Sequence, residues 1–257
     1  MCGIVAVTGR VDAADYLIDG LRRLEYRGYD SAGLCIVSTA GVAHRIRAVG
    51  KVQHLANKTH DEAPTGRTGI AHTRWATHGP ATEANAHPHA ANGVNLVHNG
   101  IIENYLPLRR ELEAAGHVFA SDTDTEVVAH LLAAHLATGL APKAALQETV
   151  ARLEGAFALA IVLDGQADLV MGARRGAPLL AAIGPGVSYL SSDILAIDGS
   201  NTQVINLEDG DIVMLRPGEI EITDAAGQLA NRPAMTGYAL TMRAEKGAFR
   251  HFMEKEI

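Results

Sequence analysis

The order of apolar segments along the chain limits its fold more than any other feature. Short apolar segments bounded by turn residues, which are typical of β-strands, come in runs on either side of a central block of helical patterns. Such runs, in place of strict strand–helix alternation, predict an α+β fold with antiparallel sheets packed face to face and helices outside. The predicted strands are residues 3–7, 33–37, 42–48, 68–71, 94–97, 157–162, 169–173, 188–190, 204–207 and 211–215.

Helices are predicted where apolar residues recur at helical spacing. One follows Asp12, which we expect to cap it, and repeats Leu17, Leu21 and Leu24 on one side. Another follows Asn104, a second predicted cap. The central helical block then comprises residues 105–115, 126–137 and 143–153.

Charge and cysteine content exclude several classes of protein. The 257 residues carry a formal net charge of -7, which gives no long-range attraction for nucleic-acid phosphates or anionic lipid. No apolar run approaches the roughly 20 residues of a membrane span, so we expect neither nucleic-acid nor membrane binding. Cys2 and Cys35 are the only cysteines, which is typical of a reducing compartment and predicts a cytoplasmic protein.

Cys2 is the first candidate catalytic residue. Removal of Met1 would leave a thiol and a free α-amine on one residue. An α-amine has a pKa of about 7.7 to 8, so it can accept the thiol proton, and Cys2 would then hold both nucleophile and base. By position alone, a cysteine that merely follows the start methionine is the simpler interpretation, so the case for catalysis depends on motifs further along the chain.

The segment GIAHTRWATHGP, residues 69–80, has the pattern of a strand followed by a loop. Arg74 offers a planar fork of donors that can bind the α-carboxylate of an amino acid, with a surface salt bridge as the alternative. Trp75 is a candidate packing anchor. The Gly-Pro pair that ends the segment could be a hinge that lets the loop close over substrate.

Asn99 and Gly100 come after a predicted strand and before a predicted helix. An Asn-Gly pair usually forms a tight turn, which is the simpler interpretation, but the Asn amide and a neighbouring backbone N–H could also form an oxyanion hole. Nearby histidines raise the alternative of a metal site. Neither H-E-x-x-H nor paired C-x-x-C accompanies them, so we expect no metal. These histidines are His72, His78, His87, His89 and His98.

Two aspartates stand at the start of the helix predicted at 126–137. Asp122 and Asp124 could both cap free N–H groups of that helix. Alternatively, one of them could pair with a substrate ammonium while Arg74 binds the carboxylate, and Thr123 or Thr125 would then be the cap.

Five ordered motifs together resemble a known family. They are CGIV at 2–5, LEYRGYDSAG at 24–33, the 69–80 segment, HNGIIENY at 98–105 and SDTDTE at 121–126. They are similar to the glutaminase domain of the glucosamine-6-phosphate synthases, which are class II glutamine amidotransferases. The resemblance implies an N-terminal nucleophile hydrolase fold, a four-layer αββα sandwich, over residues 2–240.

The resemblance also implies residue roles. Cys2 would be the nucleophile, and Asn99 with Gly100 would form the oxyanion hole. Arg27 would support the region near Cys2, and Trp75 would lie on the closing loop. Cys2 would attack the glutamine side-chain amide, release ammonia and leave a thioester that water hydrolyses to glutamate, with no cofactor or metal. Glutamine would be bound by Arg74, Thr77, His78, His87 and Asp124.

Further expectations concern what lies beyond this domain. Residues 241–257 are predicted to be a tail or linker toward a sugar isomerase domain with a fructose 6-phosphate site, and the full-length enzyme is expected to be a homo-oligomer. Two alternatives stay open here. One is the glutaminase part of an amidophosphoribosyltransferase, and the other is a module that binds glutamine without turning it over.

Overall fold

The computed structural model describes residues 2–76, 79–197 and 202–236. The elements in these ranges are named in chain order, apart from two short 3-10 helices at Glu25–Arg27 and Ile194–Ala196. The α-helices are α1 (Ala13–Leu24), α2 (Val52–Glu62), α3 (Tyr105–Ala114), α4 (Thr125–Ala137) and α5 (Pro142–Ala151). The strands are β1 (Gly3–Thr8), β2 (Ser31–Val37), β3 (Ala43–Val49), β4 (Thr68–Arg74), β5 (His89–Ala91), β6 (Val94–Ile102), β7 (Gly155–Leu163), β8 (Val170–Arg175), β9 (Leu180–Gly184), β10 (Val187–Ser191), β11 (Gln203–Asn206), β12 (Ile212–Arg216), β13 (Glu219–Thr223) and β14 (Ala234–Thr236).

The strands form two sheets in which neighbouring strands run antiparallel. The first sheet has eight strands in the order β14-β11-β9-β10-β1-β4-β2-β3, and the second has six in the order β13-β12-β8-β7-β6-β5. In the first sheet β1 lies between β10 and β4, with Val5 opposite Ser191 on one side and Ala71 on the other. β1, which follows Cys2 directly, is therefore paired with β4 from Gly3 onward and with β10 from Val5 onward.

The two sheets lie face to face between helical layers. Helices α1 and α2 pack on the outer face of the first sheet, and α3, α4 and α5 cover the second. A third apolar cluster, which includes Ile4, Ile70, Val97 and Val213, fills the space between the sheets. This is the predicted four-layer α+β sandwich. Every residue of β1, β2 and β4 is buried because both faces of these strands are covered. This burial explains the nearly continuous apolar runs of β1 and β2.

Helix α1 forms where the sequence predicted it, because the apolar residues at helical spacing are buried. Leu17, Leu21 and Leu24 are fully buried against the first sheet. Gly20 lets the helix approach β1 closely, since a Cβ at this position would lie 2.8 Å from Val5 Cγ1. The buried stripe, rather than a cap, fixes the helix, because Asp12 at its N-terminus makes no side-chain cap hydrogen bond and pairs with Arg10 instead.

The prediction of side-chain caps is also wrong at the starts of α3 and α4. Asn104 precedes α3 without capping it; its amide bonds to Arg152 O and Glu154 N and so ties α3 to the segment before β7. Asp124 precedes α4, but its side chain makes no cap hydrogen bond either. Tertiary partners within reach have replaced the local bonds that the sequence pattern predicted.

Several elements have no counterpart in the sequence prediction. Helix α2 buries only Val52, Leu55 and Thr59, so its apolar stripe is too narrow to stand out. The short strands β5, β9, β13 and β14 were also not predicted, whereas β4 and β6 extend beyond their predicted ends. In the described part of the chain, no helix is long and apolar enough to cross a membrane. The predicted boundary at 240 and the tail at 241–257 lie outside the described residues.

Candidate active site

Cys2 lies at the entry to β1 with its thiol partly buried. The Trp75 N–H donates to Cys2 Sγ at 3.2 Å, and Gly3 pairs with Thr73 in the sheet, so the end of β4 lies directly beside the thiol. Burial raises the pKa of the Cys2 thiol, although the Trp75 N–H and the positive charge of Arg74 act in the opposite direction. A proton acceptor would therefore be needed to generate the thiolate at neutral pH.

The backbone around Cys2 is held by a serine pair at the end of β10. The Ile4 N–H donates to Ser192 Oγ at 3.0 Å, and Ser191 Oγ donates to Ile4 O at 2.9 Å. The adjacent Asp193 accepts a hydrogen bond from Arg27 Nη1 at 3.1 Å. Arg27 thus joins the 3-10 helix after α1 to the segment that holds β1.

Asn99 reaches Cys2 from the second sheet. Its Nδ2 donates to Cys2 O at 3.2 Å, so the two sheets meet at the candidate nucleophile. The tight-turn interpretation of Asn99-Gly100 is wrong, because both residues lie inside β6, opposite Ala158 and Phe157 of β7. A two-residue pattern cannot reveal such strand pairing.

Gly100 has a backbone that only glycine adopts easily. Its φ is 134°, and a Cβ there would lie 2.0 Å from Ala156 O. The glycine therefore lets β6 continue alongside β7 while its backbone lines the pocket next to Cys2.

A small pocket opens beside the Cys2 thiol and encloses about 20 Å³ of free space. It contains a guanidinium and a carboxylate, the two charges that complement the α-carboxylate and α-ammonium of an amino acid. The residues that line it are Cys2, Arg74, Trp75, His87, His98, Gly100, Thr123, Asp124 and Thr125.

Arg74 is buried, so the alternative of a surface salt bridge is wrong. Nη1 donates to Pro80 O at 3.2 Å and Nη2 donates to Gly79 O at 3.1 Å, while Asp30 Oδ1 lies 3.8 Å from Nη1. The guanidinium thus holds the backbone of Gly79 and Pro80. Thr77 and His78, both predicted to bind substrate, lie outside the described residues.

Asp124 is buried and lines the pocket, whereas Asp122 does not. Asp124 Oδ2 accepts the Ile102 N–H at 2.8 Å. Asp122 instead pairs with Asn85 through both its backbone N–H and its carboxylate. Thr123 and Thr125 do not cap α4 either, because their hydroxyls bond to buried histidines.

The buried histidines pack against one another behind the pocket. The His72 and His87 rings stack with centroids 4.1 Å apart, and His89 meets the edge of His87 at 4.7 Å. Burial lowers the pKa of His72 and of His89 to about 3 and holds that of His87 well below its usual range, so these rings are neutral. Among the described residues, no group of three or more His, Cys, Asp or Glu side chains is arranged to hold a metal ion.

Trp75 is not a core anchor. Its side chain is 58% exposed, and one edge of the indole lies against Gly28, where a Cβ would be 2.2 Å from the ring. The glycine of the 24–33 motif therefore makes room for the indole at the entrance to the site.

Asp30 is a site residue that sequence reasoning missed. Its carboxylate accepts the Ala76 N–H, and its own N–H donates to Arg74 O at 2.9 Å, so it holds the backbone from Arg74 to Ala76. Asp30 belongs to the quoted motif at 24–33, and an acidic residue in a Gly-rich loop motif was the available signal. From the sequence, His72 is a candidate only as a metal ligand, Thr123 and Thr125 are candidates only as helix caps, and Asp193 has no assigned role. Their contacts with His98, Asn99, His89 and Arg27 join positions distant in sequence.

Comparison with known proteins relates this chain to glutamine amidotransferases. The sequence profile described as "Glutamine amidotransferase domain" matches residues 72–199. The chain is 51% identical over 257 residues to the glutamine–fructose-6-phosphate aminotransferase (isomerizing) of Caulobacter vibrioides and 49% identical to that of Zymomonas mobilis. Residues 72–199 thus belong to the glutamine amidotransferase domain family. Each match covers all of this chain but only 42% of the relative, so the chain spans less than half the length of these proteins.

Solved structures support the fold. The glutamine phosphoribosylpyrophosphate amidotransferase of B. subtilis superimposes with a TM-score of 0.75 at 23% identity, covering 89% of this chain and 50% of that one. A glutamine aminotransferase class-II domain protein from Silicibacter pomeroyi superimposes with a TM-score of 0.60 at 17% identity, covering 87% of this chain and 99% of that one. At these identities the likeness establishes the N-terminal nucleophile hydrolase fold alone.

Proposed function

We propose that this domain hydrolyses glutamine to glutamate and ammonia with Cys2 as its nucleophile. The observation that carries the proposal is the meeting of three groups in one pocket: the Cys2 thiol, the Arg74 guanidinium and the Asp124 carboxylate. The two charged groups can bind the amino-acid end of glutamine, which leaves its side-chain amide directed at the thiol.

The chemistry follows from the environment of the thiol. The Cys2 α-amine, once Met1 is removed, accepts the thiol proton, and the sulfur attacks the amide carbon. Asn99 Nδ2 and the Gly100 N–H stabilise the oxyanion, ammonia leaves with the proton held by the amine, and water hydrolyses the thioester. His87 lines the same pocket. Thr77 and His78 complete the proposed substrate site.

The destination of the ammonia is proposed from the relatives. Proteins 44–51% identical to the whole chain are named as glutamine–fructose-6-phosphate aminotransferases. In the longer protein, a sugar isomerase domain would use the ammonia to convert fructose 6-phosphate to glucosamine 6-phosphate. We further propose a cytoplasmic location, in keeping with the two unpaired cysteines, and a homo-oligomeric full-length enzyme.

The decisive experiment measures glutamate release from glutamine by the purified chain, with Met1 removal verified by intact mass. We expect release by the processed chain, none from Cys2→Ala, and unchanged release from Cys35→Ala, because Cys35 is a fully buried thiol remote from the pocket. A chain that retains Met1 should also be inactive, since its Cys2 nitrogen is an amide.

The outcome separates the proposal from its alternatives. Glutamine binding without release, measured by calorimetry on the processed chain, would favour the sensing module. Conversion of fructose 6-phosphate by the full-length protein would identify the ammonia acceptor, whereas amination of phosphoribosylpyrophosphate would favour the amidophosphoribosyltransferase alternative.

A further inference from the structure

His72 is a buried polar residue to which the proposed reaction gives no task. It lies in β4 with no exposed surface, two residues before Arg74, and it does not line the pocket. Its Nε2 lies 3.0 Å from His98 O and 3.0 Å from Asn99 Oδ1. It therefore contacts the residue whose amide faces Cys2.

The hydrogen-bond partners of His72 determine its tautomer. A backbone carbonyl can only accept, so Nε2 carries the proton that points at His98 O. Because the same N–H faces the Asn99 carboxamide, the atom that it meets must be the oxygen, not the NH2 group. The Asn99 NH2 group is then forced toward Cys2, where Nδ2 donates to Cys2 O at 3.2 Å.

From this geometry we propose that His72 is a positioning residue that locks the Asn99 carboxamide with its NH2 group facing the reacting centre. The inference rests on the proposed function, in which Asn99 supplies an oxyanion donor. Rotation of the carboxamide by 180° would place Oδ1 there instead, and a developing oxyanion would meet an acceptor rather than a donor.

The surroundings keep His72 in one state. Its ring is fully buried and stacked on His87 with an interplanar angle of 18°, which restricts its movement. Nδ1 is buried without a hydrogen-bond partner among the described residues, so nothing there stabilises a second proton. Burial also lowers the pKa of His72 to about 3, so the same tautomer persists through the neutral range.

The test is a double-mutant cycle on glutamine hydrolysis. His72→Leu removes the N–H, and we expect kcat to fall by about 10- to 100-fold, less than the roughly 10²–10³-fold loss caused by deletion of an oxyanion-hole donor, with KM unchanged. His72→Gln, whose amide can donate to Asn99 Oδ1, should restore most of kcat. In an Asn99→Ala background, His72→Leu should have little further effect, because His72 acts through Asn99.

Controls separate positioning from general damage. His135→Leu removes a partly buried histidine that bonds to Thr149 between α4 and α5, and it should leave kcat unchanged. Alkylation of Cys2 by iodoacetamide needs no oxyanion hole, so its rate should match wild type in His72→Leu. If His72→Leu fails to fold, His72→Asn replaces it, since its shorter amide does not reach Asn99.

The possible results are distinct. Additive losses in His72→Leu and Asn99→Ala, or a rise in KM with kcat unchanged, would overturn the positioning role. If the wild-type chain released no glutamate, the proposed function would fail, and the positioning role would be judged by NMR alone. Slow exchange of the Asn99 side-chain amide protons in wild type and fast exchange in His72→Leu would support it; equal exchange would overturn it.

Discussion

At the scale of single residues, the charged side chains Arg74 and Asp124 have two functions in the candidate site. Each holds neighbouring backbone through hydrogen bonds, and each also lines the pocket. Arg74 donates hydrogen bonds to the backbone of Gly79 and Pro80, yet it also lines the pocket. Asp124 accepts one backbone N–H with Oδ2, which leaves Oδ1 with only a weak contact to Thr125 at 3.4 Å. The Asp124 carboxylate thus retains hydrogen-bonding capacity for substrate.

Asp124→Asn tests which aspartate binds the substrate ammonium. The amide oxygen can still accept from Ile102, so the fold should survive, but the negative charge is lost. A hydrogen bond to a charged group contributes about 1.5–3 kcal/mol, so we expect KM for glutamine to rise by roughly 10- to 150-fold. Steady-state glutaminase kinetics measure the change. Asp122→Asn is the matched control and should leave KM unaltered; the reverse pattern would assign the ammonium site to Asp122.

At the scale of elements, the site depends on strands that continue where a local pattern indicated their ends. β4 extends to Arg74 and β6 to Ile102, so the ends of two strands from different sheets meet at Cys2. Strand pairing fixes the register of each, as with Gly100 opposite Phe157. The pairing of β6 with β7 therefore determines the position of Gly100 in the site.

Gly100→Ala is expected to weaken that ladder. A non-glycine residue at a φ of 134° is strained by roughly 1–3 kcal/mol, and the new Cβ would also collide with Ala156 O. We expect a loss of unfolding free energy above about 3 kcal/mol, measured by urea denaturation, together with loss of glutaminase activity. Gly116→Ala is the control, because Gly116 also has positive φ but a Cβ added there would meet no described atom within 4 Å. Equal losses in both variants would show that the contact with Ala156 contributes nothing.

At the scale of the whole molecule, the two sheets enclose a neutral histidine cluster that couples stability to pH. Burial holds the pKa of His72 and His89 at about 3, below the value of about 6.5 for an unfolded histidine. Between these values the unfolded chain binds more protons than the folded one, so the stability present above pH 6.5 is progressively lost as the pH falls toward 3.

His89→Gln should flatten this dependence. One proton fewer is taken up on unfolding, so the slope of unfolding free energy against pH between about 4.5 and 6 should decrease by up to about 1.4 kcal/mol per pH unit. Urea midpoints across this range measure the slope. His60→Gln, on the exposed surface of α2, is the control and should follow wild type. An unchanged slope in His89→Gln would mean that His89 is already protonated in the folded protein.

The sequence by itself determined the α+β class, the helical block and the position of Cys2 at the start of a buried strand. These properties depend on apolar spacing and residue chemistry, which are local. It also indicated Arg74, Asn99, Gly100 and Asp124 as candidate site residues. The structure places all four at or beside the Cys2 pocket.

Only the tertiary structure decided how these residues are used. It showed that Asn99-Gly100 is strand rather than turn, that Asp124 rather than Asp122 lines the pocket, and that the thiol is held by Trp75. The orientation of Asn99 depends on His72, a residue of the other sheet. Contacts of this kind join positions far apart in the chain, and their energies depend on burial and on partners that no local pattern contains.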